Sequence, residues 1–467
     1  MTARFLINIR ELTIREEFRR ILRPAGYLAA PAYLTDAGRV FAATIRGLRG
    51  SLIVDNGRFD DVGRVASRYQ QETAELLATI TATQPVGGRS PHSGVSPQTR
   101  VRVSDLARRV AETAAAAQPG LALEEQLRLN PTGVIGVEDI TAATWLRLGL
   151  DINLQPNGRT ALRRRNAAVA RHAARVAAGL DQSTVSYLPV AGAMDYDTAN
   201  DAGRVFAAAG LSGAAIGFGA YMADDSYTDA YKQGGRWHRL PTRMPQRYLR
   251  TVLVARGFWD GWNDETGGAP GHFHFLGLGA PIMIGLVAIA AGRTPTLTFD
   301  ATSPIRDAVD GTFYLTRPAY LKIRARRIAE RLIAATAERW QCHCPFCQQF
   351  TRSHPFDYPA GLAWRATRPT GRVSAADLRP GGGLYTAFPL LSEPGGGQLR
   401  KDIDRARIGH NHWTLQRIIT AINTAAKQGR LPQHMDEVVT AYERASNAES
   451  FAAAVRFAHT LATEDRP

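Results

Sequence analysis

The stretch His272-Phe273-His274-Phe275-Leu276-Gly277-Leu278-Gly279-Ala280-Pro281, carried on through residues 282–291 to Thr296-Leu297-Thr298-Phe299-Asp300, decides the fold. A short β-rich run, a Gly/Pro turn, an apolar segment of helical length and a second short β-rich run read as strand, helix, strand. Working outward, similar short runs stand at residues 52–54, 134–137, 185–190 and 214–218. Between them, residues 61–81, 159–179 and 197–209 carry apolar side chains at helical spacing. Strands alternating with helices make a parallel sheet covered on its outside. At least six such units over about 300 residues favour a closed (β/α)8 TIM barrel over an open sheet. The doubly wound alternative finds no G-x-G-x-x-G after the first strand to support it.

Residues 1–335 are therefore assigned to the barrel, and 336–467 to a zinc-binding subdomain followed by C-terminal helices. Within the latter, residues 355–397 hold Pro380-Gly381-Gly382-Gly383 and Pro394-Gly395-Gly396-Gly397 and read as a partly mobile insertion. Residues 413–428 and 434–448 read as amphipathic helices, 84–98 as a Pro/Gly/Ser loop, and 463–467 as a frayed tail.

Apolar residues make up 45% of the 467 and charged residues 21%, as in soluble globular proteins. No run reaches the roughly 18–20 apolar residues of a membrane span, and residues 1–10 lack a signal-peptide pattern. A cytoplasmic protein with no membrane partner is expected. The 57 Lys and Arg against 42 Asp and Glu leave +15, an excess that favours a polyanionic partner because each neutralised phosphate releases counterions. A GC-rich genome offers the plainer source of so many arginines.

All three cysteines fall in Cys342-His343-Cys344-Pro345-Phe346-Cys347. C-x-C-x-x-C places three thiolates around one turn, close enough to share a tetrahedral ion, with a histidine as fourth ligand. His343, His354, His410 and His412 are the candidates. A closed four-ligand site is structural, and zinc is the expected ion.

Asp300 ends the last clear strand, and a carboxylate there faces the active-site mouth of a barrel. The same residues equally describe a helix N-cap by Asp300 or Ser303. Leu52-Ile53-Val54-Asp55-Asn56-Gly57-Arg58-Phe59 repeats the theme, although Asp-Asn-Gly is also an ordinary turn. Two carboxylates at two strand ends suit glycosidic chemistry, where one attacks or stabilises the anomeric carbon and the other moves protons. His272 and His274 share one face of their strand. With no carboxylate pattern completing a hydrolase site, they read as packing or substrate contacts, a zinc hydrolase being the distant alternative.

These segments in this order resemble the tRNA-guanine transglycosylase family, from about residue 55 to about residue 410. The likeness rests on Leu276-Gly277-Leu278-Gly279-Ala280-Pro281, on Thr298-Phe299-Asp300-Ala301 with Pro304 and Arg306, and on the cysteine cluster. It implies Asp300 as covalent nucleophile and Asp55 as general acid/base, with Cys342, Cys344, Cys347 and His410 (of His410-Asn411) as zinc ligands. It places the base-binding acid at Glu138-Asp139, with Asp139 preferred, and the pocket loops at Pro189-Val190-Ala191-Gly192-Ala193 and Ala215-Ile216-Gly217-Phe218. The usual glutamine of the first loop is Ala191 here, which removes a donor and acceptor to the base and implies altered base choice.

These departures, together with the lack of a recognisable archaeal-type RNA-binding appendage, resemble the DNA-modifying branch, which exchanges guanine for a 7-deazaguanine such as 7-cyano-7-deazaguanine. The resemblance thus implies DNA and a 7-deazaguanine base as partners, a possible partner ATPase or helicase that opens the duplex, and a homodimer. Arginines and lysines at 236–250 and 322–331 are candidates to track phosphates, or are simply solvated helix faces. Two alternatives stay open: a transglycosylase acting on tRNA with altered base specificity, and a non-catalytic nucleic-acid-binding subunit. The retained Asp55 and Asp300 argue against the second.

Overall fold

The computed structural model describes residues 1–48, 50–58, 123–147, 157–181, 183–219, 221, 226–292, 294–316, 319–334, 339–368, 370–442 and 447–463, with isolated positions at 63, 98, 101, 102, 105 and 109. The helix expected at 61–81 and the loop at 84–98 lie outside the described segments, as does the tail after 463.

Eight strands close into a barrel: β1 (Thr2–Asn8), β2 (Gly26–Ala29), β3 (Ser51–Val54), β4 (Gly133–Glu138), β5 (Ser186–Ala191), β6 (Gly213–Gly217), β9 (His272–Leu276) and β10 (Thr296–Asp300). Two hairpins stand apart, β7 (Tyr227–Gln233) with β8 (Arg236–Pro245), and β11 (Thr312–Thr316) with β12 (Ala319–Arg324). Every barrel pairing is parallel, and β1 closes the ring between β10 and β2. The six strands legible in the sequence are present; β1 and β2 are additions. Four residues between Pro24 and Pro31 give β2 too short a run to register as a strand.

Strand alternation divides each strand between two cores. Leu6, Leu28, Ile53, Ile135, Leu188, Val190 and Ala215 form an apolar plug inside the barrel. Their sequence neighbours, such as Phe5, Val54, Val134, Tyr187, Ala214, Phe273 and Phe299, pack outward beneath the helices. The plug places the inward residues two positions further on at the C-terminal mouth.

The described helices are α1 (Glu16–Leu22), α2 (Asp36–Thr44), α3 (Leu123–Leu127), α4 (Thr141–Arg147), α5 (Gly158–Ala178), α6 (Tyr196–Ala208), α7 (Gln246–Thr266) and α8 (Pro281–Ala290). After the barrel come α9 (Ser303–Val309), α10 (Ala325–Ala334), α11 (Pro345–Ser353), α12 (Tyr358–Ala366), α13 (Gly397–Lys427), α14 (Leu431–Ala441) and α15 (Ala448–Thr463). Helix α6 starts on a capping box between Asp195 and Thr198. It crosses α7 with the backbones nearly touching: a Cβ on Gly261 would lie 2.0 Å from the Asn200 carbonyl oxygen, and one on Gly203 2.2 Å from that of Phe258. Helix α8, the apolar run of the opening stretch, is buried at all ten positions. No described helix is long and apolar enough to cross a membrane.

The C-terminal third is fastened to the barrel by α13, a single helix of 31 residues where the sequence suggests a start near 413. Asn423 accepts a hydrogen bond from the Ala3 amide (2.7 Å) and donates one to the Ala3 carbonyl (2.8 Å). Asn411 accepts from the Tyr314 amide and donates to the Pro304 and Thr312 carbonyls. Residues 355–397, read from sequence as partly mobile, are instead built into the fold. Leu384, Phe388, Leu390 and Leu391 are buried, and the buried Arg407 of α13 donates to the carbonyls of Leu390 (2.9 Å) and Ser392 (2.6 Å). The Gly/Pro composition shapes tight turns there, while its interspersed apolar residues do the anchoring.

Candidate functional site

Asp300 ends β10 facing into the barrel mouth and is only 6% exposed. It does not cap the following helix: α9 has Thr302 at its N-cap with no side-chain cap bond. Its Oδ1 instead accepts the Gly277 amide at 3.2 Å and lies 3.3 Å from His274 Nε2. Gly277 has φ +74°, the left-handed conformation that turns its N–H inward after β9.

Asp55 follows β3, two residues beyond Ile53 of the apolar plug, and so enters the same mouth. Its amide extends the parallel ladder to the Ala29 carbonyl at 2.7 Å, and its Oδ1 accepts from the Asn56 amide at 2.8 Å. Burial, then repulsion from Asp300, pushes the Asp55 carboxyl up to about 6. That repulsion places the two strand-end carboxylates in one electrostatic site.

A third carboxylate joins them. The β4–β5 register shifts between Ile135 and Glu138. Ile135 faces the plug, Val137 packs outward, and the irregularity turns Glu138 back into the mouth. Burial, then the Asp55 charge, pushes Glu138 up to about 7, against the opposing pull of Arg58 and the Asn56 side-chain amide. Asn56 bridges the strands, donating to the Gly136 carbonyl at 2.8 Å while its Oδ1 accepts the Arg58 amide at 3.0 Å. Asp139 is committed elsewhere: Oδ1 accepts the Thr141 amide (2.9 Å) and Oδ2 pairs with Arg165 (2.8 Å). Of the two adjacent acids, Glu138 rather than Asp139 lines the mouth.

The remaining expected pocket residues divide. Gly217 ends β6 on the inward parity, and a Cβ there would meet no described residue within 4 Å. Gly192 is locked to α5, its amide and carbonyl both bonded to Asn166. Ala191 and Phe218 face the outer core, Phe218 against Tyr221 and Phe275. Arg306 is exposed on α9.

Sequence reasoning missed three contributors. Asn8 ends β1 inside the barrel, and its buried Nδ2 has no hydrogen-bond partner among the described residues, leaving a donor near the mouth. Arg58 is 3% exposed within what reads as a turn. His274 is fully buried against Asp300, its sequence signal being only the alternation that pairs it with His272.

A second site is closed and metal-competent. Cys342, Cys344, Cys347 and His410 bring one donor atom each within 4.8 Å of one another. His410 Nδ1 lies 3.3 Å from the Sγ atoms of Cys342 and Cys344 and 3.5 Å from that of Cys347. Its Nε2 is 2.7 Å from the Tyr314 carbonyl, to which it donates, leaving Nδ1 as the lone-pair atom turned to the sulfurs. Cys344 caps α11 by accepting the Cys347 amide. Burial pushes the Cys347 thiol up, whereas hydrogen bonds from the Cys344 and Cys347 side chains hold that of Cys342 down. His343 and His354 are outside this group. So is His412, whose Nδ1 donates to the Ile408 carbonyl one turn back on α13, at 2.8 Å.

The likeness drawn from the sequence motifs finds no counterpart at the level of whole-chain comparison: no family model matches the chain, and no curated protein matches it.

Proposed function

We propose that the chain is a base-exchange transglycosylase that replaces guanine in DNA with a 7-deazaguanine, such as 7-cyano-7-deazaguanine, through a covalent glycosyl-aspartate. The observation that carries this reading is the pair of carboxylates on β3 and β10, coupled in one barrel mouth and set apart in chemistry. Asp300 is pinned through one oxygen by the Gly277 amide, as suits a nucleophile. Asp55, pushed up to about 6, exchanges protons readily near neutral pH.

In this mechanism a guanosine leaves its stack, because the anomeric carbon is shielded in a duplex. Asp300 attacks C1′, the C1′–N9 bond breaks, and Asp55 delivers a proton to the departing guanine. The 7-deazaguanine enters, Asp55 takes its N9 proton, and N9 displaces the Asp300 oxygen. Two inversions give net retention. Glu138 holds the base edge beside Gly217, and the Asn8 amide supplies a further donor.

Zinc fits the cysteine–histidine cluster. With Zn–S about 2.3 Å and Zn–N about 2.0–2.1 Å, a tetrahedral site sets N and S about 3.5 Å apart, against the 3.3, 3.3 and 3.5 Å here. All four positions come from protein, so the ion's part is to hold the subdomain together.

A nucleic-acid partner is supported by a groove of about 880 Å³ beside the mouth. It runs from Ala280 and Pro281, just past the β9 loop, along Arg247, Lys322, Arg324, Arg327 and Arg331. Lys322 is paired with Asp307 and Arg327 with Glu330, which also lines the groove; the remaining arginines along one channel suit a phosphate backbone.

The deciding experiment is mass spectrometry of nucleosides from DNA and from tRNA of cells expressing the chain. Deazaguanine in DNA, lost in Asp300→Asn, is the expected result. Its appearance in tRNA alone selects the tRNA alternative, and retained turnover by Asp300→Asn removes the nucleophile assignment. Nucleic-acid binding with no modified base and no adduct selects the non-catalytic subunit.

A further inference from the structure

Inside the barrel, β9 and β10 carry a line of polar side chains that the exchange mechanism above leaves unused. Their register sets His272 beside Thr296 and His274 beside Thr298. His272 Nε2 lies 2.7 Å from Thr298 Oγ1, the same hydroxyl lies 2.7 Å from His274 Nδ1, and His274 Nε2 lies 3.3 Å from Asp300 Oδ1. His274 is 0% exposed and Thr298 2%. Among the described residues no hydrogen-bond partner reaches His274 Nε2; its approach to Asp300 Oδ1 is a close polar contact on a buried nitrogen that has no other use.

With Asp300 as a carboxylate and both imidazoles neutral, the donors and acceptors fit together in one sense. A carboxylate only accepts, so a proton on His274 Nε2 is the arrangement that avoids two lone pairs facing each other at 3.3 Å. A neutral His274 then has a lone pair on Nδ1, to which the Thr298 hydroxyl donates. The hydroxyl's own lone pair accepts from His272 Nε2–H. Burial, followed by the neighbouring His274 and Arg4, holds His272 down at about 3, so it too is neutral. Both contacts to Asp300, from His274 and from the Gly277 amide, fall on Oδ1 rather than Oδ2.

Resting on the reading of Asp300 as nucleophile, we infer that His274 is its positioning residue. The Nε2–H of His274, set 3.3 Å from Oδ1, holds that oxygen by its dipole and closes to a hydrogen bond as Oδ2 makes the attack, and Thr298 with His272 fixes the His274 tautomer. Such an arrangement locks a carboxylate rotamer in the way that a carboxylate or carbonyl behind a histidine locks a metal ligand.

Two measurements on the full-length protein test this separately from the proposed function. The first is ¹⁵N NMR of histidine-labelled protein, with His274 assigned from its loss in His274→Gln. The expected signature is a neutral ring protonated at Nε2 that shifts toward the other tautomer in Thr298→Val. A ring protonated at Nδ1 in the wild type overturns the inference whatever the enzyme does. The second is single-turnover formation of the adduct with guanine-containing DNA and tRNA.

His274→Phe is expected to slow the chemical step about a hundredfold, the effect of a misplaced reacting atom, with KM within about twofold. His274→Gln, whose Nε2 reaches nearly the same place, is expected to recover much of that loss. Equal rates in wild type and His274→Phe, or equal losses in the two variants, overturn positioning by this N–H. If wild type forms no adduct but His274 shows the expected tautomer and Thr298→Val response, the proposed function fails while the hydrogen-bonded chain stands.

Discussion

Replacing Asp55 with asparagine should remove the proposed exchange activity and, above pH 6, make the protein more stable. Burial and the Asp300 charge raise the Asp55 carboxyl from 3.8 to about 6. A raised carboxylic acid binds its proton more tightly in the folded state, so its stabilising contribution is complete below the unfolded value, 3.8. That contribution is lost as pH climbs through about 6. The full shift of about two units corresponds to about 3 kcal/mol at neutral pH. Asp55 keeps part of its surface open, so solvent screening reduces this to on the order of 1–2 kcal/mol. The amide of the Asp55→Asn variant carries no charge at any pH and escapes the penalty. A chain of 467 residues unfolds with an entropy near 1 kcal/mol/K at ~2.1 cal/mol/K per residue. The expected gain in Tm is therefore about 1–2 °C at pH 8, falling to zero at pH 4. Scanning calorimetry of both proteins across that range reads the difference directly. A variant less stable than wild type at pH 8, or an offset that does not change with pH, refutes the picture of a strained, buried carboxylate.

Metal content distinguishes the histidines: if the cluster binds zinc as proposed, His410→Ala should lose it by elemental analysis and melt several degrees lower, whereas His343→Ala should keep about one ion per chain. Charge in the groove should show in salt dependence. Removing two cations with Arg324→Ala and Arg331→Ala should flatten the log–log slope of duplex-DNA affinity by roughly 2, at about 0.9 per phosphate contact; an unchanged slope would place the DNA elsewhere.

The alternation of β-rich runs with helical segments was legible because both core faces of the barrel are apolar and each period is clear over whole elements. The cysteine spacing likewise announced its cluster, since three ligands sit on one turn. What stayed hidden depends on single-residue offsets. Glu138 and Asp139 are adjacent and chemically alike, and only the irregularity after Ile135 decides which one enters the barrel. Ala191, weighed from sequence as a changed pocket residue, sits on the outward parity of β5, so its side chain meets the outer core instead. The two histidines of β9 visibly share a face, but nothing local indicates which carboxylate that face meets across a neighbouring strand. The Gly/Pro-rich segment misled for a different reason: its turns are conspicuous, while the arginine that anchors it, Arg407, lies on a later helix.

The place of β1 in the ring also sets an order of events during synthesis. Residues 2–6 must pair with 296–300, and Asn423 then bonds Ala3 across 420 positions. At ~5–20 residues per second a ribosome needs roughly 15–60 s to make the chain between those two strands. For that interval the first strand has one barrel neighbour available and its other edge open. Its apolar Phe5, Leu6 and Ile7 make it a natural client for a chaperone, and slowing translation downstream should lower the soluble yield more than destabilising the finished barrel by the same amount.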